Sequence, residues 1–321
     1  MARLIGWLGG LLLLVVFLEV FFLNPKDVTN DSLKNPKASQ SSDENEKKIP
    51  SQVISSVELM ESNEDGKEWE LKSEKASLYE EDSIWDLNKV NTKLFGKSDV
   101  EYNVRGDKGT VFIQKKNITI KGNVRIESSN GYEFSTASAE YLSEKRELLA
   151  QNEVVMKGPK SEGEKQINLT GVGLLANLET NVIYVLRDVH ARKGIENGQF
   201  FTIQSGSAEF SGVEKVAKFF RDVVVDIGGT RITGPQAELV YDRQKSNLKS
   251  MSVVGGIRIS DIDKWAAADR IDMYFEQNKY ILRGAPRVIQ NNDELAGDEI
   301  VFYNGGEEIE VKGAKAKFNK D

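Results

Sequence analysis

Beyond residue 53 the apolar side chains of this chain fall on every second position, and no other feature constrains its fold as strongly. Val124 and Ile126 alternate with Arg125 and Glu127, Val154 precedes Met156, Val223, Val225 and Ile227 form a triplet, and Ile257 precedes Ile259. Such runs are half-buried strands with one face inward and one in water. Between them stand Ser129-Asn130-Gly131, Asp226-Ile227-Gly228-Gly229 and Asn304-Gly305-Gly306, residues that supply turn chemistry. No long stretch carries a 3.6-residue apolar stripe, so the expected fold class is all-β.

A block of small residues followed by polar and then apolar or aromatic residues recurs at 136–141 (Thr-Ala-Ser-Ala-Glu-Tyr), 205–210, 234–239, 268–273 and 297–302, with a weaker copy at 171–176. The step is about 30 to 35 residues, the length of one pair of strands. Copies continue through a polar turn, as at 143–147, 242–247 and 276–279, into a strand opened by Gly or Asn, as at 122–124, 152–154 and 255–257. The unit is therefore a long bent hairpin. Hairpins stacked on one another form a solenoid-like or jelly-roll layer, and small residues at a fixed place let the chain bend there.

Composition removes most catalytic classes. There is no cysteine and a single histidine, His190, so thiolate chemistry is excluded, and clustered imidazole metal sites and Ser-His pairings are disfavoured. No cofactor or metal is expected. The 43 Lys and Arg are scattered among 50 Asp and Glu, leaving no basic stripe for a nucleic acid. Carboxylate clusters at Glu80-Glu81-Asp82, Asp261 with Asp263, and Glu307-Glu308 sit in turns without ligand spacing and read as solvated surface. His190 reads as a surface or packing residue, and Trp69, Trp85 and Trp265 as core or edge packing, with a carbohydrate contact as the other reading.

Residues 4–23 are apolar apart from Glu19. As a helix this stretch would measure about 30 Å, the thickness of a bilayer core. A cleaved leader is the competing reading, but the apolar run continues into Asn24-Pro25-Lys26 without a small-residue cleavage site. Residues 1–23 are thus expected to be a transmembrane anchor with its N-terminus in the cytoplasm. Glu19 either snorkels to the interface or marks a face docked against other transmembrane helices. Residues 24–52, rich in Asn, Ser, Asp, Glu and Lys, are expected to be a flexible linker.

The strings Lys121-Gly122-Asn123-Val124, Asn130-Gly131-Tyr132-Glu133-Phe134, 136–141, Gly171-Val172-Gly173-Leu174 and Asp188-Val189-His190-Ala191, behind an apolar span, resemble the LptC family of lipopolysaccharide export proteins. The blocks at 234–239, 268–273 and 297–302 resemble the OstA repeat of LptA. The resemblance implies an LptC-like β-jelly roll at 53–195 continued by an LptA/OstA-like one at 196–321. Implied partners are lipopolysaccharide, an inner-membrane LptBFG ABC transporter as motor, and an LptA- or LptD-type jelly roll added at a sheet edge, with head-to-tail self-association as a further form. The bulk of the chain would then lie in the periplasm, tied to the inner membrane.

A lipid route needs an apolar trough, because exposing acyl chains costs about 0.8 kcal/mol per methylene and so roughly 10 kcal/mol for a chain of about a dozen carbons. The expected inward positions are Phe112, Ile118, Ile120, Val124, Ile126, Phe134, Tyr141, Val154 and Met156, continued by Ile203, Phe210, Val223, Val225, Ile232, Ile257 and Ile259. The same positions equally suit a closed core. The expected outgoing edge is the last strand, with Ile309, Val311 and Phe318. A membrane-tethered structural or adhesive β-solenoid is the alternative from another class, with an enzyme third.

Overall fold

A computed structural model describes residues 49–317 apart from 65, 81–82, 161–164, 195–199, 244–246 and 292. Residues 1–23 with Glu19, most of the 24–52 linker, and Phe318 lie outside the described residues. No helix among the described residues is long and apolar enough to cross a membrane.

The described chain is one antiparallel sheet of 21 strands. They are β1 (Gln52–Asn63), β2 (Gly66–Tyr79), β3 (Ile84–Phe95), β4 (Glu101–Phe112), β5 (Asn117–Ser128), β6 (Glu133–Leu142), β7 (Glu147–Lys157), β8 (Asn168–Asn177) and β9 (Val182–Gly194). The sheet continues with β10 (Phe200–Ser205), β11 (Ser207–Ser211), β12 (Val216–Ile227), β13 (Thr230–Tyr241), β14 (Leu248–Ser260) and β15 (Lys264–Tyr274). Its last strands are β16 (Lys279–Arg283), β17 (Arg287–Gln290), β18 (Asp293–Ala296), β19 (Glu299–Tyr303), β20 (Glu308–Lys312) and β21 (Lys315–Lys317). The pairs β10/β11, β16/β17, β18/β19 and β20/β21 are each two halves of one bent strand, which leaves 17 rungs.

Every rung bends near its middle. The bends are marked by left-handed backbone at Ser56, Lys89, Gly122, Asn123, Gly173, Asp188, Arg221, Asp222, Gly255, Gly256, Gly284, Ala285 and Gly313. They divide the sheet into two half-sheets. Half-sheet one carries 57–63, 66–73, 90–95, 101–105, 124–128, 133–136 and their successors; half-sheet two carries 52–55, 75–79, 84–88, 108–112, 117–121, 138–142 and theirs. Glycine is required where rungs crowd at the bend. At Gly122, with φ of +81°, a Cβ would lie 2.9 Å from the Asp107 carboxylate of the preceding rung.

The recurring small-residue block falls on the bends of the even rungs, at β6, β8, β10/β11, β13, β15 and β18/β19. There the inward alternation slips by one residue, from Phe134 to Ala139, from Ser205 to Ala208, and from Ile232 to Ala237. The intervening rungs β5, β7, β9, β12 and β14 keep their phase, as Ile118, Ile120, Val124 and Ile126 do. An extra residue on one of two paired strands is a bulge, and a bulge bends the strand that carries it. The repeat is thus the hairpin, and its small residues are its hinge line.

Candidate functional site: the interior of the folded sheet and its edges

Fourteen of the sixteen inward candidates are buried: Ile118, Ile120, Val124, Ile126, Phe134, Tyr141, Val154, Met156, Ile203, Phe210, Val223, Val225, Ile232 and Ile257 are 0–3% exposed. Ile259 is partly buried against the same cluster. Phe112 stands apart. The register slip between Arg105 and Lys108 puts Val111 inward, opposite Ile118, and leaves half-buried Phe112 on the other face, opposite Asn117. Simple alternation misses this because β4 changes phase at its bend. It also misses Leu71, Leu94, Tyr102, Phe201 and Phe219, fully buried residues of the same interior. An aromatic contact links the half-sheets, Phe210 meeting Tyr132 edge-on at 6.2 Å, and Phe210 also meets Phe219 of the neighbouring strand edge-on at 6.0 Å.

Opposite the bend line, the tips of the two half-sheets meet along a seam. Tyr141 and Ser143 both donate to the Glu68 carboxylate, Tyr141 at 2.8 Å. Lys116 pairs with Glu61 at 2.6 Å. The Lys97 backbone N–H donates to Leu178 at 2.9 Å, Asn181 Nδ2 donates to the Lys97 carbonyl at 2.7 Å, and Arg146 donates to the Phe95 carbonyl. Farther along, the Lys193 ammonium lies 5.9 Å from the Tyr241 ring centre, and Phe201 stacks on Phe275 at 6.3 Å. The partners are offset along the sheet. Glu68 of the second rung meets Tyr141 of the sixth, and Phe201 of the tenth meets Phe275 at the end of the fourteenth. Sheet twist gives such an offset.

Each end of the described sheet is a free edge. β1 pairs only with β2, and at the other end β20 pairs with β19 and β21 with β18. On β20, Ile309 is 48% exposed and Val311 is partly buried against the core. Outward on the same rungs runs a ladder of charge. The Asp272 carboxylate accepts from Ser252 at 2.6 Å, Arg270 at 2.7 Å and Arg283 at 2.6 Å; Arg283 and Lys312 then converge on Glu299. Burial alone would raise Asp272, but the Arg270 hydrogen bond, with Ser252 and Arg283, holds it below the usual carboxylate range.

The remaining candidates lie outside the interior. Asp261 is held low by the Ile262 backbone N–H and the Thr230 hydroxyl, a turn role. His190 is exposed on β9, opposite Gln204. Trp69 is buried, Trp85 packs partly buried against the core, and Trp265 is 48% exposed on the outer face of β15. Among the described residues no group of His, Cys, Asp and Glu is arranged to hold a metal ion.

The family described as "Lipopolysaccharide-assembly, LptC-related" matches residues 11–196, more than half of the chain. The chain belongs to this family. A second match, "LptA/(LptD N-terminal domain) LPS transport protein", covers residues 202–308. The LptC-related and LptA-like segments share one sheet, because β9 pairs with both β10 and β11 across the junction. No curated protein matches the chain. Among solved structures, it is similar to LptH, the LptA-homologous periplasmic component of the lipopolysaccharide transport device from Pseudomonas aeruginosa, at 21% identity and a TM-score of 0.34. That match covers 37% of this chain and 95% of the other.

Proposed function

We propose that the chain transports lipopolysaccharide from the inner to the outer membrane, holding the acyl chains between its two half-sheets and handing them on across its C-terminal edge. The observation that carries this reading is the interior itself, one apolar cluster that runs from Leu71 through Ile126, Met156, Ile203 and Val225 to Ile257, across both matched segments. Removing acyl chains from water all along the path abolishes a barrier of roughly 10 kcal/mol per chain, at about 0.8 kcal/mol per methylene. The chain has no phosphate-binding nucleotide loop, so the energy comes from an inner-membrane ABC transporter of the LptBFG kind. Residues 1–23 anchor it beside that transporter, with Glu19 at the docking face, residues 24–52 tether it, and the β-body lies in the periplasm. An LptA- or LptD-type sheet adds at β20/β21, where Ile309, Val311 and Phe318 meet the incoming strand. The chain works without enzymatic chemistry of its own.

The near-complete burial of the inward residues favours a second reading, a structural solenoid whose core never opens. Photo-crosslinking in cells separates the two, with the probe at Ile126, Phe134 or Ile257. Lipopolysaccharide adducts at all three, formed only while the transporter hydrolyses ATP, are the expected outcome. Absence of adducts from all three in a folded, anchored protein establishes the closed solenoid.

A further inference from the structure

In the interior the buried hydroxyls of Ser73 and Ser205 donate to backbone carbonyls, whereas three neighbouring donors have no partner: Trp69 Nε1, Thr92 Oγ1 and Tyr102 OH. Their residues are 4%, 1% and 0% exposed. The strand register makes them neighbours. Leu94 of β3 stands opposite Trp69 of β2 on one side and Tyr102 of β4 on the other, and Thr92 occupies the next inward row between Leu71 and Val104. All three belong to half-sheet one: Trp69 and Tyr102 stand in the row nearer the seam, beside Glu68, Thr92 stands in the next row with Leu71, Val104 and Ile126, and Val90 and Val124 lead on toward the bend.

A buried donor without an acceptor costs stability, and Val and Phe would fill the places of Thr92 and Tyr102 without that cost. The three are neutral. Burial pushes the Tyr102 hydroxyl up to about 12, so it keeps its proton at neutral pH. Neutral donors in a low-dielectric interior suit carbonyl oxygens, whereas an anionic group would call for a cation beside it.

We propose that Trp69, Thr92 and Tyr102 form a subsite for the ester and amide carbonyls at the root of the acyl chains. The tails then pass Ile126 and lie toward the bend along Val90 and Val124, and the polar headgroup emerges at the seam beside Glu68. This rests on the transport reading above and adds to it a fixed orientation of the lipid, carbonyls at the seam and methyl ends at the bend.

The test uses the full-length chain with Trp69→Phe, Thr92→Val and Tyr102→Phe, singly and combined. Thr92→Val and Tyr102→Phe keep the apolar volume, so the thermal midpoint of that double variant is expected to hold or rise, whereas Trp69→Phe also vacates part of the space of the indole and is expected to lower it. In cells, the lipopolysaccharide adduct at Ile126 should fall about tenfold in the triple variant, the effect of one or two neutral hydrogen bonds. In detergent, crosslinking at Ile126 to a diester-linked phosphatidylglycerol should exceed that to its dialkyl-ether counterpart of equal chain length, and the triple variant should lose this preference. An undiminished adduct in the triple variant, with no ester preference in the parent, overturns the subsite and leaves the transport reading standing. Absence of adducts at both Ile126 and Ile257 in the parent protein overturns the transport reading, and the subsite with it.

Discussion

At the residue scale, the Glu68 carboxylate is the polar centre of the seam. Burial first, and then the hydrogen bond to Glu68, pushes the Tyr141 hydroxyl far up, so Tyr141 remains a donor at every physiological pH. Tyr141→Phe removes one of the two donors to a buried acceptor and is expected to cost about 1–3 kcal/mol in urea unfolding. Glu68→Gln combined with Tyr141→Phe should cost less than the sum of the two singles, because the contact is shared. Asp272 gives a pH signature. Its folded pKa lies below the ordinary value of 3.8, so its contribution is complete above that value and is lost as pH falls through the lower folded value. Asp272→Asn should therefore narrow the gap in urea midpoint between neutral pH and about pH 3; an unchanged gap would show that the carboxylate does not stabilise the sheet. Alternation in the sequence exposed the inward identity of Ile118, Val154 or Val223. It did not expose Glu68 as the partner of Tyr141, because a contact across 73 residues depends on how far the sheet twists before its tips meet.

At the element scale, the bend is where local chemistry decides the fold. Gly284 has a φ of +81°, and a Cβ there would run into the Asp269 carboxylate of the rung before it. Gly284→Ala thus combines backbone strain with a collision and is expected to cost about 1–3 kcal/mol. Adding Asp269→Gly, which removes the Asp269 Cβ as well as its carboxylate, should restore only the part due to the collision. Full recovery in the double variant would mean that the left-handed backbone carries no cost. The block repeated at 136–141, 205–210, 234–239, 268–273 and 297–302 was legible as a hairpin period, because small residues at a fixed spacing have few other uses in strands. The phase slip that each block introduces was not legible. It needs the partner strand to show which residue is extra, and so Phe112 read as inward where Val111 is.

At the scale of the whole described sheet, offset and direction decide what its edges accept. Because rungs meet about four places apart across the seam, rungs 14 to 17 of half-sheet one would need partners past the last described strand, and partly buried Val288 and Leu295 lie in that region. At the opposite end, the half-sheet-two part of the first rungs lacks earlier partners, and Ile54 there is 40% exposed. A neighbouring sheet that continues the fold covers both surfaces as well as pairing its strand. Direction then discriminates between neighbours. With 17 alternating rungs, β1 and β20/β21 run the same way, so a second copy stacked head to tail would pair in parallel within an otherwise antiparallel sheet. A partner whose first rung runs the opposite way continues the antiparallel ladder instead. The full-length chain in detergent should therefore stay free of concentration-dependent head-to-tail fibres in light scattering. A partner edge strand supplied as a peptide and crosslinked at Ile309 should be captured in antiparallel register. Fibres of the chain alone, or parallel capture, would show that the free edge selects by apolar coverage and not by strand direction.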